Sequence, residues 1–215
     1  GGAATLPVAI RGTRSAMRDG QWVPRRLPLT VVVGEALPAP TGLDGVTLNL
    51  LQEMVADLLG KEAAVYLPSG TMCNEIAVKV HTRPGDEVLA DRTSHLIHFE
   101  GGGPGLLSGA LMSSLDGERG VFTGAQVRAA AHRPSRYAPP TRLVSMENTS
   151  NLGGGRVWPL AAVQDVAAAA RALGLARHMD GARLWGCEPF YGRTLAEISA
   201  LFDTVYVSFY KQLGG

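Results

Sequence analysis

Two cysteines in 215 residues, Cys73 and Cys187, are too few and too far apart for a disulfide framework, and no CxxC pair opens a thiolate metal site. That scarcity points to a reducing, cytoplasmic setting. No apolar run reaches the length of a membrane span: the alanine-rich stretch from Ala161 to Ala172 is too short and contains Gln164 and Asp165. Charge of one sign is also missing. With 20 basic and 19 acidic residues the net charge is +1, which argues against nucleic acid as the main partner. Neither G-x-G-x-x-G after a strand nor G-x-x-x-x-G-K-[ST] occurs, so the glycine clusters at 101–103 and 153–155 read as tight loops and not as nucleotide cradles. There is no internal repeat. What is present, 46% hydrophobic and 18% charged residues, suits one globular domain with a substantial interior.

Helical and strand patterns alternate along most of the chain. Leu51, Met54, Val55, Leu58 and Leu59 mark one helical face, closed by Gly60 as C-cap. Lys61 to Leu67 reads as a strand, as do Glu87–Ala90, Arg142–Met146 and the β-branched and aromatic run Thr204–Phe209. Pro159 opens a helix that continues to Ala172, ahead of Gly174, and Asp116-Gly117 is a turn. The alternation predicts an α/β fold, a three-layer and mainly parallel sheet with helices on both faces, and ligands then gather at the carboxyl ends of the strands.

Several chemically capable residues fall at such ends. Asp180, in Asp180-Gly181-Ala182-Arg183, offers a buried carboxylate, and Lys211, beyond the Thr204–Phe209 run, offers an amine. Pyridoxal phosphate (PLP) needs that combination: an acid to keep its ring nitrogen protonated and an amine to hold its aldehyde as a Schiff base. Taken separately, the aspartate also reads as the opening of a turn and the lysine as a surface residue. Ser69, Gly70 and Thr71 lead into a helical pattern, where backbone N–H groups and hydroxyls can cradle a phosphate, although the same turn reads equally as a plain helix cap. His95 and His98 are spaced to share a helix face, but nothing nearby completes a ligand set, so no metal is expected and His98 is assigned a structural role.

Leu67-Pro68-Ser69-Gly70-Thr71-Met72, the segment Ser94 to Gly102, Glu147-Asn148-Thr149 with Gly153 to Val157, and Asp180-Gly181-Ala182-Arg183-Leu184 together resemble the low-specificity L-threonine aldolases of the β-eliminating-lyase group. The likeness runs from about Thr47 to Gly215. It implies the large PLP-binding domain of the aspartate-aminotransferase-like fold, over residues 46–215, and an aldehyde-lyase that cleaves L-threonine or a related β-hydroxy-α-amino acid to glycine and an aldehyde. Lys211 would be the Schiff-base lysine, Asp180 the partner of the pyridine nitrogen, and Arg183 a contact of the cofactor's phenolic oxygen. His95 would stack on the ring and manage the proton of the substrate's hydroxyl, while Ser69, Gly70 and Thr71 would hold the phosphate. Glu100 matches an active-site carboxylate, and Phe99 stands where many members have tyrosine. The resemblance further implies a homodimer or homotetramer with a small amino acid as its only ligand besides the cofactor. The same Asp180, Arg183 and Lys211 would equally serve another PLP-dependent β-elimination or a transamination, and a truncated scaffold that binds cofactor without turnover is a third possibility.

The chain departs from that pattern in places. Gln212 follows the lysine where glycine is usual, and Arg177-His178 interrupts the apolar strand expected before Asp180, which predicts an edge position or an anomaly there. Residues 1–45, rich in arginine and proline, contain neither the substrate-binding serine nor the acidic and tyrosine-containing stretch of the family, and are expected to form an irregular leader; a transit peptide is the alternative, disfavoured because the segment has no clear amphipathic periodicity. The sequence stops at Gly215. A smaller C-terminal domain bearing an arginine for the substrate carboxylate is therefore expected to be missing.

Overall fold

A computed structural model describes residues 8–11, 30–33 and 45–212. It divides into two compact units, Gly1–Met54 and Val55–Gly215. In the first, β1 (Val8–Arg11) pairs antiparallel with β2 (Thr30–Val33). The stretch expected to be irregular thus contains a ribbon where β-branched residues cluster; the rest of that expectation lies outside the described residues.

Helix α1 (Gly45–Leu59) ends as its sequence predicts. Gly60 has φ +59°, and the Lys61 amide donates back to the Ala56 carbonyl at 2.9 Å. Its apolar face is narrower than the pattern suggests: Val55 and Leu59 are buried, while Met54 and Leu58 are exposed.

Five parallel strands carry the second unit. They are β3 (Glu87–Asp91), β4 (Leu111–Leu115), β5 (Thr141–Glu147), β6 (Ala176–Gly181) and β7 (Thr204–Val207), in the order β4-β3-β5-β6-β7. Strand alternation sends successive side chains to opposite faces, and each face finds a helical layer. Val88 and Leu143 pack with Val78 of α2 (Gly70–His81) and Leu96 of α3 (His95–His98). After the short α4 (Gly103–Ser108), the opposite face is covered by α5 (Gly124–Ala130) and α6 (Leu160–Ala172): Leu89, Val144, Met146 and Met179 meet Val127, Val163 and Val166 there. Phe122 and Trp158 meet edge to face at 4.9 Å within this larger core. The expected α/β architecture, a parallel sheet between two helical layers, is the one observed. The chain then closes through α7 (Glu188–Tyr191), α8 (Leu195–Ser199) and, after β7, α9 (Phe209–Gln212).

Strand order sets the site. The chain leaves β3 toward β4 on one side and returns as β5 on the other, so a crevice opens beyond the carboxyl ends of β3 and β5. Register then aligns what lines it: Glu147 lies opposite Asp180, and Asp180 opposite Tyr206.

Three local expectations need correction, and one strand has no counterpart among them. Residues 61–67 form no strand, having no neighbour to pair with among the described residues; Lys61 instead donates to the carbonyls of Ser199 and Phe202, at 2.7 and 2.6 Å. Leu111–Leu115 is a strand that the pattern concealed, because an edge strand with mixed exposure shows no clean alternation. The run from Thr204 leaves the sheet at Val207, and Phe209 already belongs to α9. Finally, β6 is no edge: it lies between β5 and β7. Arg177 is accommodated there by a two-pronged pairing with Asp203, at 3.0 and 2.6 Å, and His178 by hydrogen bonds at both ring nitrogens.

Candidate active site

A cavity of about 230 Å³ at the strand ends is lined by Ser69, Gly70, Thr71, His95, Asp180, Arg183 and Lys211 among others. The sequence-predicted site residues therefore converge, except that Glu100 stands behind His95 and does not line the space.

The cavity floor begins at the first turn of α2. Ser69 caps it, its Oγ accepting from the Met72 amide at 3.1 Å. Gly70 is required here by proximity, since a Cβ would fall 2.3 Å from the Tyr206 hydroxyl oxygen. The N-terminus of a twelve-residue helix lies open to the cavity with small residues around it, a setting that favours an anionic group.

One turn further along α2, Asn74 is 1% exposed and gathers the polar network. Its amide nitrogen donates to Asp180 Oδ2 at 2.8 Å and to Glu100 Oε1 at 3.0 Å, and its carbonyl oxygen faces His178 Nε2 at 3.1 Å. Beyond that, His178 Nδ1 and His81 Nε2 both reach Thr204 Oγ1, at 2.9 and 3.0 Å. Burial drives the His178 pKa down to about 3, so the ring is neutral.

Asp180 sits at the end of β6. Burial raises its pKa above the ordinary carboxylate value, and the hydrogen bonds from Asn74 and the Ala182 amide work the other way. No lysine or arginine among the described residues forms an ion pair with it. A carboxylate so placed, opening on a cavity and lacking a cation, matches a protonated pyridine nitrogen. The open helix N-terminus at Gly70 matches a phosphate, and Lys211 supplies an amine on the same cavity. On this donor set the residues fit PLP.

His95 opens α3, and three contacts fix it. Its ring nitrogen Nδ1 lies 2.7 Å from Glu100 Oε1, its amide donates to Glu147 Oε2 at 2.6 Å, and its ring meets Phe99 at 5.1 Å. Glu147 is held in turn, since its other oxygen accepts from the Asn151 amide at 2.8 Å and its carbonyl accepts from Trp158 Nε1 at 3.0 Å. The hydrogen bond to Glu100 raises the His95 pKa, with burial opposing it. For Glu100, burial acts against the charge, but hydrogen bonds from His95, Asn74 and Thr71 outweigh it and bring the pKa below the ordinary value. His98 points away, with Nε2 on the Arg92 carbonyl at 2.7 Å, in the structural role its sequence suggested. No group of three metal-ligating side chains occurs among the described residues.

Lys211 is placed by the segment before it. Trp185 Nε1 donates to the Ser208 carbonyl at 3.0 Å and the indole stacks on Phe209 at 6.1 Å; the Lys211 amine lies 5.0 Å from the Tyr210 ring centre.

Sequence reasoning missed Asn74, Asn151, Tyr206 and Tyr210, all of which line the cavity, and gave Glu147 no role. For Asn74 a signal existed: an asparagine one turn into an otherwise apolar helical face is costly unless buried partners await it. Asn74→Asp should leave Asp180 and Glu100 without their shared donor. Stability is expected to fall by about 1–3 kcal/mol, the usual cost of stranding buried polar groups, and the absorbance change on adding PLP to be lost. Denaturation and a cofactor titration measure both, and wild-type behaviour in both would remove Asn74 from the site.

Residues 41–215 match the beta-eliminating lyase family. Aldolase vrtJ of Penicillium aethiopicum is 38% identical over 174 residues, 80% of this chain and 44% of that protein. The low specificity L-threonine aldolase of Escherichia coli O157:H7 is 32% identical over 87% of this chain and 57% of its own. A solved structure from Listeria monocytogenes EGD-E, provisionally assigned as an L-allo-threonine aldolase, superposes with a TM-score of 0.71 at 32% identity, covering 80% of this chain and 46% of that one. The chain thus spans about half the length of the curated relatives it matches. With a fold, a cavity and a donor set that agree with this match, the chain belongs to the beta-eliminating lyase family, whose members depend on pyridoxal phosphate.

Proposed function

We propose that the protein cleaves the Cα–Cβ bond of a β-hydroxy-α-amino acid such as L-threonine, releasing an aldehyde and leaving glycine. The observation that carries this reading is His95. A histidine backed by a carboxylate faces the same cavity as Asp180 and Lys211, and a retro-aldol cleavage, unlike a transamination, needs a base for the substrate hydroxyl.

PLP, when bound, supplies an electron sink for the carbon from which the aldehyde departs. The rest is done by side chains. Ser69, Gly70 and Thr71 would bind the cofactor's phosphate, Asp180 would keep the proton on its ring nitrogen, and Arg183 would contact its phenolic oxygen. Lys211 would supply the amine that holds the cofactor's aldehyde. Glu100 accepts from His95 Nδ1–H, which leaves Nε2 of the neutral ring as the proton acceptor. That atom takes the hydroxyl proton, directly or through a water, as the Cα–Cβ bond breaks. Phe99 against the ring and Glu147 on the His95 amide restrict the imidazole to the orientation this requires.

The reading extends to a cytoplasmic homodimer or homotetramer. Two free thiols suit a reducing compartment. Met72, Ile76 and Val80 form an exposed apolar line at helical spacing along α2, and Leu106 and Leu107 of α4 are exposed as well, a surface of the kind that subunits cover. Among the described residues no helix is long and apolar enough to cross a membrane.

Product analysis tests the chemistry. L-Threonine should yield glycine and acetaldehyde, and Lys211→Ala should abolish this; pyruvate from L-serine, without glycine from L-threonine, would favour β-elimination instead. The pH profile tests His95. Because the Glu100 contact raises its pKa and the neutral ring is the active form, the rate should fall as pH drops through that raised value, and Glu100→Gln should move the acid limb to lower pH. An unmoved limb would show that His95 is not the base. Sedimentation at micromolar concentration should find at least a dimer, and a cofactor-loaded monomer would refute the assembly.

A further inference from the structure

Glu75 is a buried titratable residue that the reading above leaves unused. It is 6% exposed, and neither of its carboxylate oxygens has a hydrogen-bond partner. It lies on the face of α2 turned toward the Glu100 segment: a Cβ at Gly103 would sit 2.2 Å from Glu75 Oε1, and the Gly103 amide donates to the Glu100 carbonyl at 2.9 Å. Glu100 Oε2 is also buried and without a partner. Two neighbouring buried carboxylates with no donor between them do not both stay charged, since desolvation penalises each ion and repulsion penalises the pair. Their donors decide which one takes the proton. Glu100 receives Asn74 at 3.0 Å and His95 at 2.7 Å, whereas Glu75 receives nothing.

The other groups around Glu75 do not change this. His95 lies behind Glu100, Asp180 lies behind Asn74, and Lys79 on the same helix turns its amine to the Leu107 carbonyl at 3.0 Å. Helix α4, Gly-Pro-Gly-Leu-Leu-Ser, presents no charge. Burial first, and the Glu100 charge second, lift the Glu75 pKa from 4.5 to about 7.

We infer that Glu75 is a positioning residue: it stands as a neutral carboxylic acid beside Glu100 and, by withholding a second negative charge there, keeps Glu100 ionised and engaged with His95 Nδ1. Its catalytic consequence rests on the reading of His95 as the proton acceptor. The proton on Glu75 does not, and it can be measured without turnover.

Difference infrared spectroscopy of the cofactor-loaded protein should show the carbonyl stretch of a protonated carboxyl at mildly acidic pH. The band should fade as pH rises through neutrality and be missing in Glu75→Gln. A carboxyl whose folded pKa exceeds its unfolded one contributes stability below 4.5 that is lost as pH rises toward about 7. The wild type should therefore lose stability over that interval relative to E75Q. In a labelled-histidine NMR titration, His95 should respond in two steps in the wild type and in one in E75Q. Absence of the band, or an E75Q protein destabilised by a constant margin at every pH, would mean an ionised Glu75 held by a cation and would overturn the inference. A His95 titration indifferent to E75Q would overturn the positioning role even with the band present. Should E75Q fail to fold, Glu75→Leu takes its place as the reference, because burial raises the Asp180 pKa as well and only a band lost together with Glu75 counts.

Discussion

A single amide nitrogen, Asn74 Nδ2, holds two buried carboxylates, and the geometry of the cavity depends on it. Asp180 and Glu100 would repel each other across a low-dielectric space; one donor between them turns that repulsion into a shared acceptor pair. The amide cannot turn over. Reversing it would set its carbonyl against both carboxylates and its N–H groups against His178. The neutral His178 enforces this from behind, because a ring that donates from Nε2 to the Asn74 carbonyl must accept at Nδ1, which the Thr204 hydroxyl can satisfy while accepting from His81 Nε2. Donor direction thus runs one way from His81 at the end of α2, through β7 and β6, to the two acids.

Sheet register converts that network into a site. Parallel strands end level with one another, so Glu147, Asp180 and Tyr206 arrive side by side without any loop having to place them. Glu147 then spends both oxygens on backbone amides, of His95 and Asn151, and so ties α3 to the far side of the crevice. It serves as a clamp for the histidine, a use of a carboxylate that differs from the proton chemistry usually sought in an active-site glutamate. Tyr206 comes so near the first turn of α2 that a Cβ at position 70 would fall 2.3 Å from its hydroxyl oxygen, and the ring would have to shift to admit one.

The sequence made much of this legible, for identifiable reasons. Asp180, Lys211, His95 and the Ser69-Gly70-Thr71 turn could be read because each lies next to a strand or helix end, where periodicity breaks and chemistry is local. Asn74, Tyr206 and Tyr210 could not, because what makes them part of the site is their distance to residues far along the chain. The error over Arg177 and His178 has the same origin. Polarity in a strand suggests an edge when strands are considered one at a time, yet Asp203 and Thr204 on the neighbouring segment supply the partners that make a central position tolerable. The Lys61–Leu67 segment failed in the opposite sense: its composition suits a strand, but β-structure exists only in pairs, and no neighbour awaits it among the described residues.

The cavity is also polarised along its length, which narrows what it can hold. At one end backbone N–H groups of α2 and the hydroxyl-bearing residues beside them favour negative charge; at the other, a buried aspartate without a cationic partner favours positive charge. A ligand that is anionic throughout would leave Asp180 unpaired, and one that is cationic throughout would oppose the helix N-terminus. A flat molecule with a phosphate at one end and a protonated ring nitrogen at the other satisfies both, and it would present its aldehyde toward neither, leaving that group to the Lys211 side. His95, held with Nδ1 on Glu100, is then the imidazole that lines this cavity, so the network behind Glu100 orients a group on the cavity wall as well as stabilising the fold.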